Sequence, residues 1–212
     1  MGNKLVLIGG GGHCKSVLDT ALRMDVFEEI VITDQNIALG TEILGIKVAG
    51  TDDVLATLHL KGFEYAFIAV GSITSTTLRR KLVEKAEKIG FYFSTIIDPS
   101  AVISESASIG EGTFIGKNSI INVNAKIGLH CIVNSGVIIE HECRVCDCSH
   151  ISVGSILCGD VEVGMDSFIG AGSTVIQGVK VGSHSVIGAG SVVMKDIPDN
   201  VKAYGNPCKV VE

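Results

Sequence analysis

Between residues 115 and 145 the chain reads IGKNSI INVNAK IGLHCI VNSGVI IEHECR V, a run of six-residue units that each open on an aliphatic side chain. The run extends both ways. Ile97, Ile103, Ile109, Ile115, Ile121, Ile127, Val133, Ile139, Val145, Ile151, Leu157, Val163, Ile169, Val175, Val181, Ile187 and Val193 stand six apart and hold only Ile, Val or Leu. Four residues after most of them comes a small side chain, such as Ala107, Thr113, Ser119, Ala125, Cys131, Ser149, Ser155, Ser167, Ser173, Ser185 or Ser191. A period of six fits neither the α-helix nor the heptad, whereas short fixed repeats of this kind build a parallel β-helix. Six residues form one flat side and three sides form one triangular coil. Each aliphatic then stacks on the one 18 residues later, and the small residue occupies the tight inner corner.

Such a prism has flat sides that one copy cannot fully cover, so self-association is expected; a trimer is the natural form. The repeat fills only the second half of the 212 residues. The boundary is expected near Asp98-Pro99-Ser100, because proline ends the preceding element, with domains of residues 1–96 and 97–212. A net charge of -6 and a pI near 5.5 speak against nucleic-acid or acidic-lipid binding. No stretch approaches the roughly 20 apolar residues of a membrane span, and MGNKLVLIGG runs directly into a strand and a glycine turn. The expectation is a cytoplasmic protein without membrane insertion. Seven cysteines, an odd number beside a sizeable core, fit reduced thiols better than a disulfide framework.

In the first half, strand-like KLVLIG (residues 4–9) leads into Gly9-Gly10-Gly11-Gly12-His13 and the helix-like KSVLDTALRM. EIVITD ends at Asp34, and EYAFIAVGS ends at Gly71-Ser72 before TLRRKLVEKAEKIG. This alternation implies a small Rossmann-like parallel α/β sheet, whose ligands bind at the carboxyl ends of the strands. The glycine turn, Asp34 and Gly71-Ser72 therefore outline one candidate nucleotide pocket. The turn lets amides approach a phosphate, and Asp34 can accept from a ribose or base. Glycines that merely turn a strand into a helix are the plainer alternative.

Polar side chains interrupt the prism in one stretch: Asn122, Asn124, His130, Asn134, Glu140, His141, Glu142 and His150. His141 stands two positions after the inward Ile139, hence on an outer face, between two glutamates. A carboxylate beside an imidazole can set its tautomer and favour the imidazolium formed on proton abstraction. Cys143, Cys146, Cys148 and His150 approximate zinc-ligand spacing. The period opposes convergence, because Cys143 falls at the inward corner while Cys146 and Cys148 should point outward. His184 falls on a solvated face.

GGGGHCKSV, VNSGVIIEHECRVCDCSHISVGS, the uninterrupted hexads and YGNPCKVV together resemble the left-handed β-helix (hexapeptide-repeat) sugar acyltransferases. Within that superfamily they are similar to the group of sialic acid O-acetyltransferases and bacillosamine-pathway nucleotide-sugar N-acetyltransferases. The resemblance implies a left-handed prism, acetyl-CoA as co-substrate without a metal, and a homotrimer with active sites between subunits. It implies that His141 is the general base, oriented by Glu142, and that Asn134 helps position the sugar. His150, Ala171 and Ala189 correspond to the acetyl-CoA groove, and the Gly159 amide to a holder of the thioester oxygen. His13, Cys14, Lys15, Asp34, Gln35 and Gly71 correspond to nucleotide-sugar contacts, although relatives carry glycine where this chain has Cys14. The implied reaction is direct acetyl transfer to the amine of a nucleotide-linked amino-dideoxy sugar, a UDP-4-amino-4,6-dideoxy sugar foremost. O-acetylation of sialic acid and a non-enzymatic β-helix scaffold are the alternatives.

Overall fold

The structure, a computed structural model, describes residues 3–211. It contains two compact units. One reaches to Ser72 and resumes over Thr77–Pro99, and the other takes Ile73–Thr76 together with the chain from Ser100.

In the first unit, β1 (Asn3–Ile8), α1 (Gly12–Met24) and β2 (Phe27–Thr33) follow one another. A hairpin of β3 (Glu42–Ile43) and β4 (Ile46–Gly50), the short helix α2 (Leu55–Leu60), β5 (Tyr65–Ile68), α3 (Thr77–Ile89) and β6 (Tyr92–Phe93) complete the unit. The sheet order is β3-β4-β2-β1-β5-β6, with β1 parallel to both β2 and β5. Leu5, Val6, Leu7 and Ile8 are buried on both faces of the sheet, which is why this strand reads as a continuous apolar run. Helix α1 buries Cys14, Val17, Leu18 and Ala21, one stripe at helical spacing. The hairpin and α2 have no counterpart in the sequence reading. Helix α3 buries Arg79, whose Nη1 donates to Ile68 O at 3.2 Å and Val70 O at 2.5 Å. The Asp98 carboxylate, also buried, accepts from Thr20 Oγ1 at 3.0 Å and Arg23 Nη1 at 2.9 Å.

The second unit is the expected three-sided prism. One face stacks Phe114–Ile115, Ile132–Val133, His150–Ile151, Phe168–Ile169 and Val186–Ile187. The next stacks Val102–Ile103, Ile120–Ile121, Ile138–Ile139, Ile156–Leu157, Thr174–Val175 and Val192–Val193, and the third Ser108–Ile109 through Lys180–Val181. Partners stand one coil apart, as in Ile121↔Ile139 and Val145↔Val163. From Ile115 to Val193 every hexad aliphatic is buried, each contributing on the order of 1.5–3 kcal/mol.

Two further features share the period. First, the small corner residue is more than a steric fit. Thr113, Ser119, Ser149, Ser155, Ser167 and Ser173 each donate their hydroxyl to the carbonyl 15 residues ahead, at 2.7–2.9 Å. Cys131 and Cys143 do the same with their thiols, at 3.2 and 3.1 Å. These bonds satisfy corner carbonyls that the ladders leave over. Second, every sixth residue from Gly112 to Gly190 has φ between 53° and 73°. Glycine, Asn or Asp fills most of these positions, as left-handed backbone requires. His130, Glu142, Cys148 and His184 are the departures.

Candidate functional site

Because the faces repeat, turns stack into three edges. The edge between the second and third faces carries Asn122-Val123-Asn124, Glu140-His141-Glu142, Cys158-Gly159-Asp160 and Ile176-Gln177-Gly178, one above another. His141 is exposed there, and its ring lies against Gly159. A Cβ on Gly159 would stand 2.5 Å from His141 Cε1 and Nε2, so glycine is the residue that leaves room for this imidazole. Gly159 is itself buried, and its N–H makes no hydrogen bond among the described residues.

Two asparagines from the preceding coil set the carboxylates around His141. Asn122 Nδ2 donates to Glu140 Oε2 at 2.9 Å, and that oxygen also receives the His141 backbone N–H at 3.4 Å. Asn124 Nδ2 donates to Glu142 Oε1 at 2.8 Å. Among the described residues neither carboxylate bonds the imidazole, so the direct orientation of His141 by Glu142 that the resemblance implies is not seen in the single chain. Glu142 holds φ +64°, a conformation that costs a non-glycine residue on the order of 1–3 kcal/mol. With Asp160 below, these turns bring three acidic side chains and no Lys or Arg to the imidazole.

The other prism residues lie on a different edge. Asn134-Ser135-Gly136, Ser152-Val153-Gly154, Gly170-Ala171-Gly172 and Gly188-Ala189-Gly190 stack between the first and second faces. Ala171 and Ala189 are exposed and flanked by glycine, which leaves a shallow furrow of bare backbone. Asn134 Nδ2 lies 2.7 Å from His150 Nε2. Donation from the amide places the neutral ring's proton on Nδ1. His150 is only 8 % exposed and meets Phe168 edge-to-face at 5.0 Å. The two edges are separated by one flat side, about five extended residues or roughly 15 Å.

The thiols do not form a centre. Cys143 is the inward corner residue, and burial pushes its thiol up to about 11. Cys148, expected to point outward, is only 5 % exposed, and so is its neighbour one coil back on the same edge, His130, at 8 %, so this edge of the prism is covered. Among the described residues no three His, Cys, Asp or Glu side chains converge as a metal site would require.

In the α/β unit the glycine turn opens onto a cavity of about 260 Å³. Gly9, Gly11, Gly12, His13, Asp34, Gln35, Asn36, Asp52 and Gly71 are among its lining residues. Gly9, at φ +107°, lets the turn pass beneath Val70, whose Cγ2 would meet a Cβ at 2.6 Å. Gly11 caps α1 without a side-chain bond, so the first-turn amides stay available for an anion. The Asp34 carboxylate is already engaged. It accepts from the N–H groups of Gly10 at 2.7 Å, Asn36 at 2.8 Å and Ile37 at 3.1 Å, fastening the loop after β2 to the glycine turn. These bonds give Asp34 a structural role beside the expected acceptance from a ribose or base. Cys14 departs from the expected contact. It is buried in the face α1 turns to the sheet, outside the cavity, and burial with Asp34 nearby pushes its thiol up to about 12. Lys15 is exposed and does not line the cavity either. His13, Asp34, Gln35 and Gly71 do meet there. Asn36 and Asp52 were missed, and the Thr51-Asp52-Asp53 cap closing β4 was the available signal for Asp52.

Residues 4–86 match the PglD N-terminal domain family. Residues 106–146 match the hexapeptide repeat of succinyl-transferase, and residues 160–195 the bacterial transferase hexapeptide. Among solved structures, the chain is similar to PerB of Caulobacter crescentus in complex with CoA and GDP-perosamine. The two share 37 % identity at a TM-score of 0.90, covering 99 % of this chain and 98 % of that one. A histidine-to-alanine mutant of the GDP-perosamine N-acetyl transferase from the same organism is 36 % identical at a TM-score of 0.92, with 99 % and 97 % covered. The acetyltransferase domain of PglB from Neisseria gonorrhoeae FA1090, in complex with acetyl coenzyme A, is 34 % identical at a TM-score of 0.92, and each chain is covered in full. With an α/β unit of the PglD kind, a hexapeptide prism and these likenesses over its whole length, the chain belongs to the left-handed β-helix nucleotide-sugar acetyltransferases.

Proposed function

We propose that this protein transfers the acetyl group of acetyl-CoA to the amino group of a nucleotide-linked amino-dideoxy sugar, with His141 as general base. The observation that carries the reading is the His141 edge: an exposed imidazole seated on Gly159 among Glu140, Glu142 and Asp160. A sugar amine reaches such a corner as an ammonium, which three carboxylates attract. Sialic acid carries its own carboxylate, which they repel, and this favours N-acetylation over the O-acetylation alternative. The uncapped amides of α1 suit a diphosphate, for which a free sialic acid has no use.

The ammonium first gives one proton to solvent; the neutral amine then attacks the thioester carbonyl, and His141 takes the second proton the nitrogen gives up. The Gly159 N–H is free to receive the oxygen that becomes negative, a role for preorganised backbone donors. Collapse expels the CoA thiolate, and the imidazolium returns the proton to sulfur. Holding both reactants and supplying the base together account for the acceleration. Asn134 and His150 act as one bonded pair beside the donor, and Ala171 and Ala189 leave the furrow open for it.

One protomer keeps His141 and this furrow a full face apart, so the complete site needs two copies. The second face turns Val102, Ile120, Ile138, Ile156 and Val192 outward, with Val102 64 % exposed. Burying this stripe around a three-fold axis sets the His141 edge of one subunit beside the furrow of the next. The seven cysteines form no disulfide among the described residues, which suits a reducing cytoplasm, where acetyl-CoA is at hand. The test is thiol release from acetyl-CoA with UDP- and GDP-linked 4-amino-4,6-dideoxy sugars against free sialic acid, for wild type and His141→Ala. Turnover of an amino sugar that depends on His141 is expected. Turnover of sialic acid alone moves the reaction to a hydroxyl, and no turnover with any acceptor removes the enzyme reading.

A further inference from the structure

The cavity at the glycine turn holds an acidic side chain to which neither the resemblance nor the mechanism gives a task. Asp52 follows β4, the strand that flanks β2 at its carboxyl end. It is 7 % exposed and lines the cavity. Its Oδ1 accepts from Thr33 Oγ1 at 3.4 Å, while Oδ2 accepts from nothing among the described residues. A largely buried carboxylate that lines a cavity and keeps one oxygen without a donor has acceptor capacity to offer a ligand. No Lys or Arg lines the cavity to supply a donor.

The strand order says which part of a ligand would supply that donor. The glycine turn and the open amides of α1 follow β1, Asp34 follows β2, and Asp52 follows β4, three neighbours in the order β4-β2-β1. A diphosphate held at the α1 amides places its nucleoside toward the β2 and β4 ends on one side and its sugar toward Gly71, after β5, on the other. The ribose then crosses the Asp34 loop, and the base arrives at Asp52.

We propose that Asp52 reads the base of the nucleotide, accepting the ring N–H of uracil, thymine or guanine. This assignment rests on the nucleotide-sugar reading above and adds the specificity-determining residue. Cytosine and adenine present a bare ring nitrogen at the corresponding edge, which sets lone pair against carboxylate. Loss of one partner of a buried charge-assisted hydrogen bond costs about 10- to 100-fold in affinity.

Asp52→Asn tests this, because the amide oxygen keeps the acceptor for Thr33 while the amide N–H reverses the polarity offered to the base. Titration calorimetry of the full-length protein with UDP, dTDP, GDP and CDP supplies the readout. Wild type should bind at least one of UDP, dTDP and GDP more than tenfold tighter than CDP. In Asp52→Asn that affinity should fall about 10- to 100-fold, with CDP retained or improved and acetyl-CoA affinity and melting midpoint unchanged. Unaltered binding, or an equal loss for all four nucleotides, overturns the role of Asp52 and leaves the nucleotide-sugar reading standing. If wild type binds no nucleotide, that reading falls and Asp52 with it.

Discussion

The two units build their concave surfaces by different means. The cavity of the α/β unit is gathered from loops after four strands, with Gly12, Asp34, Asp52 and Gly71 brought together by sheet topology. The His141 edge is gathered by repetition alone, since Asn122, Glu140 and Cys158, like Val123, His141 and Gly159, are successive steps of 18 residues along one column. In the prism one rule, the hexad, places every side chain, the proposed functional ones among them. In the α/β unit no such rule exists, and the same residue types can be structural. Asp34 shows this, with both carboxylate oxygens bound to backbone N–H groups, whereas the strained Glu142 interrupts a column otherwise suited to glycine, Asn and Asp.

The sharpest way to break this contrast is at the His141 edge. His141→Ala should lower kcat by about 10²–10⁴-fold while acetyl-CoA affinity, measured by calorimetry, stays within twofold. Gly159→Ala comes next. Its methyl displaces the imidazole it would otherwise meet at 2.5 Å, and kcat should drop roughly 10²-fold with the protein still folded by circular dichroism. A small corner residue of the hexad should behave in the opposite way. Ser155→Ala takes the 2.8 Å donor from the Gly170 carbonyl, which keeps the Ser173 N–H at 3.2 Å; this should cost about 0.5–1.5 kcal/mol in urea unfolding and leave kcat near wild type. Ser155→Cys should recover part of that loss, since Cys131 and Cys143 already serve at such corners.

Thiol titration gives the smallest and most discriminating signal. With thiols pushed up to about 12 at Cys14 and about 11 at Cys143, both stay protonated at pH 8 and should resist iodoacetamide in the native protein, while partly exposed Cys158 reacts first by peptide mass analysis. Folding favours the neutral form of these two groups. Their contribution to stability is therefore present below about pH 9 and lost as pH rises toward 11–12, so Cys14→Ala should flatten the alkaline limb of the melting curve.

His141, Glu140 and the two asparagines were legible from the hexads because period and phase say which way each residue points, whereas Gly159 came only from the resemblance. Cys148 was misplaced because the hexad phase says which way a side chain leaves its coil but not that this edge, with His130 and Cys148, is covered. The serine ladder was legible only as small volume, since the carbonyl each hydroxyl meets lies 15 residues away and is visible only once the coil closes. Among nucleotide contacts, the positions of Cys14 and Lys15 followed the phase of α1, which begins at Gly12 and turns the cysteine to the sheet.

By itself the sequence determined the prism, its length, its three faces and the column on which His141 stands, because a strict six-residue period admits one way of burying its aliphatics. It also determined that a glycine turn opens a helix after the first strand. Only the tertiary structure decided that Gly159 seats the imidazole, that Asn122 and Asn124 hold the flanking carboxylates, that Asp34 fastens two loops and that Asp52 faces the cavity. Those are contacts between residues of different coils or strands, and their geometry follows from how backbone segments pack, which no local pattern encodes.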